Sequence, residues 1–414
     1  MAANYLHGVE TIEVERGPRP VRTVKSAVIG LIGTAPAGAV NVTTLTLSEK
    51  DAAAFGPQLP GFTIPQALTA IYDHGAGTVV VINVLDPAVH KGSAKDETMT
   101  LDPATDSARL KYPAVANVVV KSADGATAYI AGQDYVLDAV YGKITRLKTG
   151  AVAIGAGLKV SYDYADPSKV TAADIIGAVN AAGNRTGIKA LQDTYNKFGF
   201  FAKLLIAPGF CTQNTVAAEM AAMADKLDAI AYVDAPIGTA FADALAGRGP
   251  AGTINFNTSS DRVRLCYPHV MVADGNGGLR YEPLSSRAAG LWGNRTAAWP
   301  TVSHMRNFEN VRRTGDVINE SIRYFSQQFI DMPLNQATID ALVESVNGYG
   351  RKLIGDGALL GFKAWFDPAR NPATELSAGH LLISYKYTVA PPLERLTFET
   401  EITSEYLLSL KGGN

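Results

Sequence analysis

Six histidines, two cysteines, one glycine-rich run and one corner aspartate have the best claim to chemistry in this chain. Their spacing argues against most of it. His7, His74, His90, His269, His304 and His380 lie far apart, and no two stand at the spacing that closes around a metal. The chain holds no GxxxxGK[ST] phosphate loop, no GxSxG nucleophile elbow and no HExxH pair. Cys211 and Cys266 form no CxxC unit and sit beside apolar runs, so they read as free buried thiols made in a reducing compartment. Gly247-Arg248-Gly249-Pro250-Ala251-Gly252 fits GxGxxG. A dinucleotide site needs a strand before that run and a helix after it, so that backbone N–H groups face the pyrophosphate. Here a helical stretch, Phe241 to Leu245, comes first, Thr253 to Phe256 looks extended, and Pro250 removes a donor. A loop is the better reading.

Asp234 is the strongest single catalytic candidate, because Asp234-Ala235-Pro236 turns a corner just after a strand, where α/β enzymes place their sites. A lone acid at such a corner more often caps the next turn. Asp193 and Glu309 have no obvious partner in sequence. No catalytic residue, metal site or cofactor is therefore expected.

The elements that would position any site follow from periodicity. Ala27 to Gly33 and Thr78 to Leu85 are short continuous apolar runs, with a helix between them over Thr63 to Tyr72. Buried runs alternating with helices predict a mainly parallel sheet covered on both faces. From about Lys91 to Ala165 the texture changes to short strands at Val118–Val120, Ala128–Ile130, Tyr135–Leu137, Lys143–Leu147 and Leu158–Tyr164, with Asp124-Gly125 as a hairpin turn. The α/β pattern then resumes with a capping box at Thr171 and Asp174. Strands follow over Phe200–Ala207, Ala229–Val233, Arg262–Tyr267 and His269–Ala273. A helical stripe runs through Val216, Met220, Met223 and Leu227. Two strong helices follow, one through Val317, Ile322 and Phe329, the second capped by Asn335; a strand over Ala358–Phe366 leads to the tail.

Both ends alternate apolar and polar residues. Ile12 and Val14 alternate with Glu13 and Glu15 before Gly17-Pro18-Arg19-Pro20. Ile383, Tyr385 and Tyr387 alternate with Ser384, Lys386 and Thr388. After Pro391-Pro392 the pattern resumes with Leu396, Phe398 and Ile402 against Arg395, Thr397, Glu399 and Glu401. Such half-apolar ribbons need a sheet to join. The fold expectation is α/β (α+β), with five parts: an N-terminal arm over 1–23, a core over 24–90 and 166–378, an inserted all-β domain over 91–165, and C-terminal strands with an arm over 379–414; the sheet that the end ribbons join is the chain's own or a neighbour's.

With 414 residues, the chain can bury a substantial core. Lys+Arg 37 against Asp+Glu 39 gives a net charge of −2, which excludes the basic excess of general nucleic-acid binders and suits a protein that packs against copies of itself. No apolar run approaches membrane-spanning length, and the first residues have no basic segment followed by an apolar one, so neither a membrane span nor a signal peptide is expected.

Taken in order, these pieces resemble the contractile tail sheath protein family of myophages and R-type bacteriocins, most of all its P2-like branch. Leu6-His7-Gly8-Val9-Glu10 through Gly17-Pro18-Arg19-Pro20-Val21 is similar to that branch's arm, and Ala27 to Pro36 to its first core strand. Leu284-Ser285-Ser286 with Ala288-Ala289-Gly290 is similar to the family's "PPS…AG" segment, with Leu284 where a proline is common. Asn310-Val311-Arg312-Arg313 matches "N-x-R-R", and Gly361 to Asn371 and Gly379 to Glu394 resemble the closing strands. The resemblance implies a structural, non-enzymatic subunit that polymerises as stacked six-fold rings around a tail tube. It implies assembly in an extended metastable state in the host bacterial cytoplasm, then contraction that drives the tube through an envelope for genome ejection. It also implies partners at the baseplate and tail terminator, and no nucleic acid, membrane or cofactor. Val9, Ile12, Val14, Ile383, Tyr385, Tyr387, Leu396, Phe398 and Ile402 become candidate subunit contacts. Arg312 and Arg313, which precede the long helix and read either as a solvated face or as a contact to an acidic partner, become candidate tube contacts, as does Arg323. The residues alone leave two other readings open: an α/β enzyme or binding module acting near Asp234, and a tail tube or capsid protein.

Overall fold

The structure is a computed structural model describing residues 20–75, 77–247, 259–273, 279–283, 285, 293–404 and 407. Arm residues 1–19 and most of the GxGxxG run (248–252) lie outside the described residues. The chain forms a mixed α/β fold. It opens with β1 (Ile29–Gly33), β2 (Thr44–Thr46), α1 (Glu49–Ala52), α2 (Thr63–Asp73) and β3 (Val79–Asn83). Seven strands follow: β4 (Lys91–Thr100), β5 (Ser107–Arg109), β6 (Val115–Ser122), β7 (Ala128–Tyr129), β8 (Tyr135–Asp138), β9 (Lys143–Arg146) and β10 (Gly157–Ala165). Next come α3 (Ala172–Ile176), α4 (Thr194–Phe198), β11 (Leu204–Ile206), α5 (Asn214–Leu227), β12 (Ile230–Asp234), α6 (Phe241–Leu245), β13 (Val263–Cys266), β14 (Val270–Ala273) and β15 (Leu279–Glu282). The last elements are α7 (Glu309–Ser326), α8 (Gln336–Gly355), β16 (Leu359–Phe366), α9 (Ala373–Ser377) and β17 (Ile383–Val389).

The central sheet runs β13-β12-β11-β1-β3-β2, parallel except for the antiparallel β2. Its strands are apolar on both faces because both faces are covered. Ile32, Val80, Ile82, Leu205 and Val233 pack with Val216, Met220, Met223 and Leu227 of α5. Leu31, Val79, Val81, Ile206 and Ile230 pack with Ile64, Ala67, Leu68 and Ile71 of α2. The strand over Phe200–Ala207 is shorter than the apolar run, since only Leu204–Ile206 has neighbours on both sides.

Residues 91–165 build two antiparallel sheets, β4-β10-β6-β7 and β5-β9-β8, around Val120, Tyr135, Ile144, Leu158 and Val160. The sequence shows five of these seven strands. β4, KGSAKDETMT, carries almost no apolar face and is a strand because β10 pairs along its whole length. The expected caps form: the Thr171 N–H donates to Asp174 Oδ2 at 2.8 Å, and Asn335 Oδ1 accepts from the Thr338 N–H at 2.9 Å.

The helix pair α7 and α8 carries the two-stranded ribbon β16–β17. Val311, Ile318, Phe325, Val346, Tyr349 and Leu353 form its core with Leu359, Ala364 and Val389. Two helical glycines let the ribbon press close. A Cβ on Gly350 would stand 2.2 Å from the Phe362 ring, and one on Gly315 2.7 Å from the Tyr387 hydroxyl. Gly350→Ala is expected to cost about 1–3 kcal/mol by overpacking, read as a lower urea midpoint. Gly355→Ala, which meets nothing within 4 Å, should be neutral or slightly stabilising in the same measurement.

Candidate assembly surface

Ile383, Tyr385 and Tyr387 lie opposite Phe366, Ala364 and Phe362 in the antiparallel register of β16 and β17. Phe362, Tyr385 and Tyr387 form an aromatic layer with ring centroids 5.9–6.4 Å apart. The Tyr385 hydroxyl donates to Asn319 Oδ1 of α7 at 2.7 Å. Burial pushes both tyrosine hydroxyls above their usual pKa. These three candidate contacts thus take a ladder partner within their own chain, and the Tyr385 and Tyr387 side chains face its own helices. Among the described residues the ribbon pairs with no further strand; the outer edge of β17 stays open, whereas on β16 the Asn347 side chain of α8 engages the Ala364 N–H and carbonyl at 2.7 and 3.0 Å.

Beyond Val389 the tail behaves differently. No strand forms over 390–404, although Leu396, Phe398 and Ile402 alternate as a strand would. These side chains are 62%, 81% and 103% exposed. The expected second tail strand is absent because a strand without a neighbour has no ladder to close. The tail's base is held by a bidentate pair, Arg295 Nε to Glu394 Oε1 at 2.7 Å and Arg295 Nη2 to Glu394 Oε2 at 2.5 Å. The guanidinium lies 3.9 Å from the Trp299 ring and 4.1 Å from the Phe308 ring, a geometry that fixes both hydrogen bonds. Its hydrogen bond holds the Glu394 carboxyl below the usual glutamate range.

At the other terminus Val9, Ile12 and Val14 lie outside the described residues. The described chain enters over the helix pair: Val21 is buried there, and the Val24 N–H donates to Ser321 Oγ at 3.2 Å.

Helix α7 joins this unit to the central sheet through charge. Glu309, Arg313, Asp316 and Glu320, at offsets of four, seven and eleven, make one stripe. Glu309 pairs with Arg264 of β13 and accepts from the Tyr232 hydroxyl at 2.5 Å. Asp316 takes a fork from Arg262 at 2.7 and 3.1 Å, and Arg262 also reaches Asp228 and Asp225. Glu320 meets Lys203 at 2.7 Å. Burial raises the Asp316 carboxyl pKa even though Arg262 and Arg312 pull it back, so assembling this seam costs desolvation.

The three arginine candidates separate here. Arg312 lies 3.4 Å from Asp316 and 3.7 Å from Asp261. Arg313 lies 3.5 Å from Glu309 and donates to the Ser26 carbonyl at 3.0 Å. Neither stands on a freely exposed face, which corrects the reading of this helix start. Arg323 is 58% exposed and only loosely near Asp228 at 3.7 Å. Glu309 and Asp193, without partners in sequence, both have them in space; Asp193 pairs with Arg185 at 2.7 Å.

Asp234 is fully buried. It accepts from the Ser285 N–H at 2.8 Å, from the Ser285 hydroxyl, and from the Cys211 thiol at 3.3 Å. Burial pushes its carboxyl pKa up, against these donors, and pushes the Cys211 and Cys266 thiols well up, so both thiols stay protonated. The Asp234 side chain thus ties residue 285 to the end of β12, rather than capping the turn that follows it. Both cysteines are free and buried.

Reasoning from sequence missed Arg262, Arg264, Asp316, Glu320 and the Arg295–Glu394 pair. The available signal was two arginines, i and i+2, in a strand otherwise apolar, since buried cations require carboxylates.

Two family models match: the phage tail sheath protein central domain over residues 169–302 and the phage tail sheath C-terminal domain over 301–403. Residues 86–174 match a family described as a protein of unknown function. The chain belongs to the contractile tail sheath protein family and is a structural subunit of a contractile phage tail sheath. It is 64% identical to the tail sheath protein of Burkholderia phage BcepMu, over the whole of both chains. It is 26% identical to the tail sheath protein of Escherichia phage P2, over 99% of this chain and 98% of that one. It shares its fold with the contracted helical sheath of the anti-feeding prophage (TM-score 0.55, 15% identity, 96% of this chain and 99% of that chain). It also shares it with the contracted PVC sheath complex of an extracellular contractile injection system (TM-score 0.54, 11% identity, 98% and 99%).

Two outcomes are expected. Asp316→Ala leaves Arg262 buried without its forked partner and should cost about 3 kcal/mol in urea unfolding, whereas Arg323→Ala should stay within about 0.5 kcal/mol. Glu394 has a lowered pKa when tethered, so the tether persists above the ordinary glutamate value of 4.5 and is lost as pH falls through the depressed value. Carboxyl NMR of Glu394 should therefore show it ionised at pH 4.5, and Arg295→Ala should move its midpoint upward.

Proposed function

We propose that this subunit polymerises in six-fold rings stacked helically around a tail tube, and that its tail strand completes the β16–β17 ribbon of a neighbouring copy. The observation that carries this is the stretch 395–402: an alternating apolar strand sequence, exposed, with no ladder among the described residues, in a chain whose ribbon keeps the outer edge of β17 open. Adding a strand pairs idle backbone groups and buries alternate side chains. Val9, Ile12 and Val14 would make the same kind of contact from the N-terminal arm, 1–23. Ile383, Tyr385 and Tyr387 would contribute as the receiving ribbon. In this reading 24–90 and 166–378 form the core around the tube, 91–165 is an insertion at larger radius, and 379–414 holds the closing strands and exchange arm.

The sheath would assemble extended and metastable in the host cytoplasm, engage baseplate and terminator proteins, and shorten to drive the tube through the envelope. Linked arms allow core domains to turn as rigid bodies while remaining connected. The relatives named for sheath and baseplate assemblies support self-association and a baseplate partner. Arg323 keeps the exposure that a tube contact needs; Arg312 and Arg313 would first have to give up in-chain carboxylates.

Deleting residues 395–414 should leave the melting temperature within a few degrees of the full chain while abolishing tubes and rings in negative-stain micrographs. Tubes of ordinary length from that truncation would overturn the exchange.

A further inference from the structure

The ribbon's outer face carries an electrostatic conflict. In the β16–β17 register Lys363 stands directly opposite Lys386, both exposed. Like charges at directly opposed positions destabilise a strand pair. Arg370 adds a third cation to this face, its Nη1 donating to Ser384 Oγ at 2.8 Å, and Lys386 lies 6.0 Å from the Trp365 ring. Among the described residues none of these three cations has a carboxylate within 4.0 Å, whereas Arg146, Arg185, Arg262, Arg295, Arg312 and Arg313 all do. The opposite face of the ribbon is the aromatic layer of Phe362, Tyr385 and Tyr387.

The tail carries the complementary pattern. In an extended strand Glu399 and Glu401 project to one side, and Leu396, Phe398 and Ile402 to the other. Laid along a ribbon edge, one orientation sets Phe398 beside the aromatic layer and both carboxylates beside the lysines. A slip of one residue presses both carboxylates against the aromatic layer and leaves the lysines opposed. The tail's own ribbon is not its partner here. Residues 395–402 stay exposed although Pro391-Pro392 begin only two residues after β17, and Glu394 is clamped to Arg295.

We propose that Lys363 and Lys386 form an electrostatic register key, read by Glu399 and Glu401 from the tail of a second copy of this chain. The inference rests on the tail-exchange reading and assigns the residues that set its register and face. It makes assembly depend on ionic strength through rim charges, which act over about 8–10 Å at physiological salt.

The test uses the full-length chain and measures the critical concentration for assembly by sedimentation, with thermal melts as the folding control. K363E/K386E is expected to raise the critical concentration about tenfold with a melting temperature within a few degrees of the parent. E399K/E401K should do the same. The fourfold swap K363E/K386E/E399K/E401K should return it to within about threefold. A second readout is a synthetic peptide of residues 390–404 added in excess: it should inhibit assembly of the parent chain, and its E399K/E401K form should not.

If both charge reversals leave the critical concentration unchanged while deletion of 395–414 abolishes assembly, tail exchange stands and the key is overturned. If the deletion also assembles normally, the exchange reading itself fails. Rescue of K363E/K386E by E13K/E15K, and not by E399K/E401K, would assign the lysines to the N-terminal arm and overturn the proposal.

Discussion

The contact between α7 and the parallel sheet is made of buried charge. α7, which carries α8 and the ribbon, meets the core through Arg262–Asp316, Arg264–Glu309 and Lys203–Glu320, with the stacked rings of Tyr195 and Tyr324 beside them. An apolar helix–sheet contact would tolerate small sliding, because dispersion and burial are not directional. A forked arginine–carboxylate pair does not, since its hydrogen bonds fail within a fraction of an ångström or a few tens of degrees. The seam therefore fixes where the ribbon sits relative to the sheet, at a cost in desolvation that apolar residues would avoid. In the proposed exchange force would pass from the core to neighbouring copies through this joint, and a stiff joint of defined geometry would be worth that cost.

The ribbon is rigid on one side and unfinished on the other. Gly315 and Gly350 let Tyr387 and Phe362 sink into the helix pair, so the ribbon cannot drift from α7 and α8. Among the described residues the outer edge of β17 remains open, and the ribbon's outer face holds Lys363, Lys386 and Arg370 with no carboxylate within 4.0 Å. Natural proteins blunt exposed edges with lysine, a device that discourages indiscriminate pairing. The same lysines would admit a strand that brings carboxylates, so avoidance and recognition use one feature.

The sequence was legible where a single periodicity governs an element. The apolar runs of β1, β3 and β12, the stripe of α5 and the caps at Thr171 and Asn335 are local signals, and the structure places elements there. β4 was illegible because its strand character comes from β10, not from its own side chains. The partners of Arg262, Asp316, Arg264 and Glu309 were illegible because 45 and 54 residues separate the pairs, and charge gives no direction along the chain. Arg312 and Arg313 looked available because a basic pair at a helix start is usually solvated; here the helix start abuts the sheet. Glu394 and Arg295 are 99 residues apart, and only the fold brings the tail's base to that arginine.

The energetics of one tail strand explain why such a subunit acts as a lattice. Burying Leu396, Phe398 and Ile402 would contribute about 2 kcal/mol each. Half a dozen ladder bonds would add about 1 kcal/mol apiece. Ordering about eight residues costs about 1.5 kcal/mol per residue. The two sides nearly cancel, so a lone pair of subunits would gain little from exchanging one arm. In the proposed exchange each subunit of a ring or a stack would both donate and receive, and every further contact would be made within an assembly whose translational cost has already been met, at high effective concentration. Marginal arms thus give steep cooperativity. In that exchange oligomers of a few copies would be disfavoured and long ones would persist, while each single joint would stay weak enough to shift when the cores around it turn.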